Sequence, residues 1–175
     1  VGFAYYAHTT PPPADAWLPV LDYPASRLPP QVKRAGKYAV IPCGNTADAR
    51  APKGKHLNPI IKHLKDNGLT PVFLGKRDLL GDGKKTTNFP DDIHYSEGLD
   101  LRDQTSVKDA AVILQHSQVV VGLDCGLLHL AALMQSTRII FGYNITTVAH
   151  REPKRDHGRT INLALFADGA YRRGA

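Results

Sequence analysis

The stretch from Val119 to Tyr143 constrains this chain most. Val119–Val121 is a β-branched run short enough for a fully buried strand. The residues Gly122-Leu-Asp-Cys-Gly126 break it. Leu127, Leu128, Leu130, Ala131, Leu133 and Met134 then read as a buried helix, and Arg138–Phe141 returns as an apolar strand. A strand–turn–helix–strand unit of this kind belongs to an α/β fold with a parallel sheet. It brings Asp124, the Gly126 backbone and His129 to the C-terminal end of the strand. In open parallel sheets ligands bind at that edge, where helix starts favour anions. An ordinary reading stands beside this one: Asp124 caps the helix, and His129 sits on a half-buried face.

Taken together, Asp124-Cys-Gly-Leu-Leu-His129-Leu-Ala-Ala132, followed by Phe141-Gly142, resembles the Asp-Thr-Gly-x-x-His-Leu-Ala-Ala and Phe-Gly signature of glycosyltransferase family 9, the lipopolysaccharide heptosyltransferases. A second segment extends the resemblance. Tyr38–Cys43 reads as a strand, Gly44–Lys55 as a polar loop, and Leu57, Ile60, Ile61 and Leu64 recur at helical spacing up to a stop at Asn67-Gly68. Pro59 fits a first helical turn, so this helix is expected to start near Leu57 or Asn58. Thr70–Gly75 completes a βαβ unit. Lys55-His-Leu-Asn-Pro59 is a looser form of the family's Lys-x-Trp-Pro, with Leu in place of Trp.

The resemblance covers residues 37 to 142 and implies a Rossmann-like parallel sheet flanked by helices, one half of a GT-B fold. The half in question is the C-terminal, nucleotide-sugar-binding domain. It further implies an ADP-heptose-like donor as substrate, inverting transfer without a metal or other cofactor, and a glycan or lipid-linked glycan acceptor. In the family the general base comes from an N-terminal domain, which here would be a missing domain or a partner chain. Carried over residue by residue, Asp124 would lie beside the donor sugar and phosphates. Cys125 would replace the usual Thr and weaken one hydroxyl contact. Gly126 would let backbone amides approach the diphosphate, and His129 would assist the leaving group electrostatically. Thr46 and Lys55 belong to the loop and helix start that would hold the diphosphate, Lys as a mobile point charge. Asp78 is the nearest acidic residue for the ribose contact.

The remaining segments are read from their residues. Prolines at 11–13, 19, 24 and 29–30 are too dense for helix or central strand, so residues 1–36 are expected to form an extended connector. The folded domain then spans 37–166, with a frayed Gly- and Arg-rich tail at 167–175. Lys76–Asp92 lacks helical periodicity where family members usually carry a helix, and is expected as a loop; Lys84-Lys85 within it is a solvated pair. Asp92–Ser96 is expected as a short third strand. Ser106 and Asp109 form a capping box ahead of a helix to His116. Thr146, Thr147 and His150 are candidate sugar or phosphate ligands after Gly142, and Thr160–Phe166 is a final strand or helix.

Composition narrows the function classes. The chain has 175 residues, 42% of them hydrophobic, enough for one domain burying roughly 70% of its unfolded surface. No apolar run approaches the roughly 20 residues that span a bilayer, and the start, which lacks Met, shows no basic leader region. A cytoplasmic protein, at most in peripheral contact with the inner face of the membrane, is expected, and the chain reads as a piece of a longer one. A net charge of +6 favours anionic ligands. Cys43 and Cys125 both follow strands and are expected as free thiols near one sheet edge. No Gly-x-Gly-x-x-Gly follows the first strand, which argues against a dinucleotide dehydrogenase. No stacking-aromatic strand or recognition helix supports nucleic-acid binding, and the eight His lack metal-ligand spacing. A stand-alone nucleotide-binding module on the same half-fold is the alternative to a transferase domain.

Overall fold

Strand β1 (Tyr38–Pro42) forms because Tyr38-Ala-Val-Ile is β-prone and buried on both faces, as a central parallel strand requires. A computed structural model describes residues 22–44, 53–76, 89–123, 125–134, 138–142 and 160–163. Around β1 it assembles β2 (Thr70–Leu74), β3 (Leu99–Asp100), β4 (Val119–Leu123), β5 (Arg138–Gly142) and β6 (Thr160–Leu163). The strand order is β3-β2-β1-β4-β5-β6, and every pairing is parallel. Order reverses between β1 and β4, paired through Ala39↔Val119 and Val40↔Val120. Such a switch point opens a crevice outside the carboxyl ends of the strands.

Alternation along β1 sends residues to two cores. Tyr38 and Val40 join Val72, Leu74 and Val120 beneath Ile113 and Leu114 of α3 (Val107–Gln115) and Leu128 and Ala131 of α4 (Gly126–Ala132). Ala39, Ile41 and Cys43 join Phe73 against Leu57, Ile61 and Leu64 of α2 (Gly54–Asp66). The result is three layers, helix–sheet–helix. Each fully buried Leu, Ile or Phe contributes on the order of 1.5–3 kcal/mol of apolar transfer. The Tyr38 hydroxyl donates to the Ile113 carbonyl at 2.8 Å, so the buried phenol is satisfied, and burial pushes its pKa up.

Several expectations are confirmed and several corrected. The capping box forms: the Ser106 hydroxyl accepts from the Asp109 N–H while the Asp109 carboxylate accepts from the Ser106 N–H. The helix after the first strand starts at Gly54, three residues before Leu57, and Pro59 lies inside it. Pro59 has no N–H to return to the Lys55 carbonyl, yet Leu57, Ile61 and Leu64 bury along one face, and that packing outweighs the lost bond. The third strand is Leu99–Asp100; Tyr95–Glu97 is a 3-10 turn, because Tyr95 packs edge-on against Phe73 and does not pair with β2. The connector expected as extended contains α1 (Pro30–Ala35) in its described part, with Val32 buried on the core. Pro29 and Pro30 fall at its N-cap and first position, where a missing N–H costs nothing.

Candidate functional site

At the carboxyl end of β4 the chain turns into α4, and the N-cap falls on Cys125, not on Asp124. Cys125 is extended at φ −152° and ψ 159°, and its thiol makes no cap bond where a hydroxyl would. Its carbonyl accepts from the Leu128 N–H at 3.1 Å and the His129 N–H at 3.3 Å, which closes the first turn. Gly122 sets the distance between strand and helix. A Cβ there would lie 3.2 Å from Pro42 Cδ and 3.3 Å from Leu128 Cδ1, so a larger residue would need these side chains to give by a few tenths of an ångström. Gly126 has nothing within 4 Å of a Cβ position; it is exposed, as is His129.

Across the switch point, β1 ends in Pro42, Cys43 and Gly44. Lys55 is exposed on the first turn of α2, one of the two helices that flank the crevice. Asp124, Thr46, Asp78, Thr146, Thr147, His150, Lys84 and Lys85 lie outside the described residues. Cys43 and Cys125 are both thiols at this edge. They belong to opposite core faces, Cys43 with α2 and Cys125 against the α3/α4 side. The Cys43 thiol donates to the Ile41 carbonyl at 3.3 Å, and burial pushes its pKa far up, which keeps it an inert thiol.

Beside β2 and β3 the same edge carries a cluster that the sequence reading missed. The Arg102 guanidinium donates to both Asp100 carboxylate oxygens, at 2.8 and 2.7 Å, and stacks 3.3 Å from the centre of the Tyr95 ring, with Phe89 at 5.0 Å on it as well. Hydrogen bonds from Arg102 hold the Asp100 carboxyl below the usual carboxylate range. Among the described residues the buried Tyr95 hydroxyl has no hydrogen-bond partner, and desolvation pushes its pKa up. Behind it, a Cβ on Gly75 would lie 2.3 Å from the Cys43 carbonyl oxygen. Asp100 ends β3 and Arg102 lies in the turn that follows it; two opposite charges at a spacing of two were the available signal.

A cavity of about 590 Å³ lies on the outer face of α2 between Asn58, Lys65, His94 and Glu97, and none of its lining residues is an expected site residue. Among the described residues, no group of three His, Cys, Asp or Glu side chains could hold a metal ion. Among them, too, no helix is long and apolar enough to cross a membrane.

No family model and no curated protein sequence matches the chain. Its fold does match solved structures. The E. coli heptosyltransferase WaaC with ADP superposes with a TM-score of 0.57 at 22% identity, covering 78% of this chain and 39% of that one. A family 9 glycosyltransferase from Veillonella parvula gives 0.57 at 12% identity, covering 76% and 39%. The dodecameric iron-containing heptosyltransferase TibC, solved with ADP-D-β-D-heptose, gives 0.51 at 20% identity, covering 64% and 28%. The chain therefore spans well under half the length of each of these proteins. What it shares with them is a heptosyltransferase-like glycosyltransferase fold.

Proposed function

We propose that this chain is the nucleotide-sugar-binding half of a heptosyltransferase-like glycosyltransferase. One observation carries the reading: Cys125-Gly-Leu-Leu-His129 opens α4 just after β4, at the switch point of a parallel sheet. The fold around that turn is shared with heptosyltransferases solved with ADP and with an ADP-heptose. On this reading the donor diphosphate lies over the β4–α4 turn, with Gly126 leaving room for it. His129 and Lys55 supply positive charge as the sugar–phosphate bond breaks and charge develops on the departing diphosphate. Asp124 lies beside the donor sugar. The acceptor, and the base that takes its proton, come from a second half that the structural relatives' greater length leaves room for.

Calorimetric titration of the chain with ADP, GDP and UDP, repeated on His129→Ala and Lys55→Ala, tests this. Saturable binding of one diphosphate, weakened about 10- to 150-fold in each variant, is the expected outcome, since a charge-assisted contact contributes on the order of 1.5–3 kcal/mol. No binding at millimolar ligand, by a folded protein, sinks the reading. Binding with no sugar transfer, even when an acceptor half is supplied, points to a non-catalytic nucleotide module.

A further inference from the structure

Between Phe89 and Gly98 the chain runs along α2 with only the 3-10 turn for regular structure, and it is fastened to the first turn of that helix. The Gly54 N–H donates to Asp92 Oδ2 at 2.8 Å, Asn58 Nδ2 donates to the Asp92 carbonyl at 2.9 Å, and the His94 N–H donates to Asn58 Oδ1 at 2.9 Å. A Cβ on Gly54 would lie 2.0 Å from the Asp92 carbonyl oxygen, so the segment can sit this close only over glycine. Buried Phe89 and Ile93 anchor it from below. The Asp92 carboxylate is thus held at the start of α2, on the backbone between Lys53 and Lys55, at the edge of the sheet that carries the β4–α4 turn.

We propose that Asp92 is a specificity-determining residue that sets how much phosphate charge the donor site accepts. The inference rests on the donor-site reading above and adds to it. By taking the Gly54 N–H, the carboxylate satisfies a backbone donor that the helix itself leaves unpaired. Its charge offsets part of the attraction that Lys53 and Lys55 exert on the phosphates of a ligand. Repulsion from a fixed carboxylate grows with ligand charge and is screened by salt. Asp92 therefore discriminates on phosphate number and leaves the nucleoside untouched.

The test is titration of the whole chain with adenosine, AMP and ADP, on the wild type, Asp92→Asn and Gly54→Ala. Asparagine keeps an oxygen for the Gly54 N–H and removes the charge, so this variant should fold normally. Its ADP affinity is expected to rise about 3- to 10-fold at low salt, AMP affinity less, and adenosine affinity not at all; the gain should shrink in about 1 M salt. Gly54→Ala forces the segment off the helix and should shift ADP in the same direction. Unchanged or weaker ADP binding by Asp92→Asn overturns the proposal, as does an equal gain for adenosine. If no folded form, wild type included, binds any of the three, the donor reading itself falls and takes this inference with it. A wild type that binds ADP without a charge-dependent gain sinks only the role of Asp92.

Discussion

The two sides of the sheet's carboxyl edge are built in opposite ways. Beside β1, β2 and β3 the edge is filled by the chain itself: Arg102 is clamped by Asp100 and stacked on Tyr95, Gly75 lies against the Cys43 carbonyl, and Asp92 covers the start of α2. Beside β4, Gly126 and His129 face outward, and the Cys125 thiol makes no cap bond. The Asp100–Arg102 ion pair, its stacking on Tyr95 and the close approaches at Gly54 and Gly75 make the first side tightly packed. On the second side, Gly126 and His129 are solvent-exposed. The two sides should therefore respond differently to substitution.

The largest difference should come from beneath the scaffold side. Phe73→Ala removes a fully buried ring that supports Tyr95 and is expected to destabilise the fold by about 3–5 kcal/mol in denaturant unfolding; a loss under about 1 kcal/mol would mean that this side is not the rigid one. Next comes a matched glycine pair. Gly75→Ala drives a Cβ into the Cys43 backbone and should cost about 1–3 kcal/mol. Gly126→Ala meets open space and should leave stability within about 1 kcal/mol of wild type, on the favourable side because alanine suits a first helical turn. Equal costs at the two positions would break the contrast.

The smallest effect is a pH dependence confined to the scaffold side. Arg102 holds the Asp100 carboxyl below its ordinary value, so the folded form binds that proton less readily than the unfolded chain. The contribution is full above the unfolded value of about 3.9 and is lost as pH falls through the lower folded value. With Asp100 partly exposed, it is worth about 0.5–1 kcal/mol. Unfolding measured from about pH 5 to pH 2 should show a shallower acid limb for Asp100→Asn than for wild type. Parallel limbs would show that the ion pair is silent.

Much of this was readable before any coordinates. The β-branched run at Val119–Val121, the helical spacing after Gly126 and the Ser106–Asp109 box are local patterns, and local backbone preference with one-sided burial is enough to specify them. They also place the β4–α4 turn, and with it Gly126 and His129, at a sheet edge. Tertiary structure decided what depends on partners distant in the chain. Gly54 begins α2 because Asp92, 38 residues on, takes its N–H, and nothing near Gly54 in sequence announces that. Tyr95 turns away from strand geometry because Phe73 offers a ring face. The segment before β1 becomes ordered because Gln115 pairs with both the N–H and the carbonyl of Tyr23, 92 residues earlier. By itself the sequence determined the elements and the sheet edge that carries the β4–α4 turn, since periodicity and turn chemistry act over a few residues. The close packing beside β2 and β3 was settled only on folding, because long-range hydrogen bonds and packing form only once the sheet has brought their partners together.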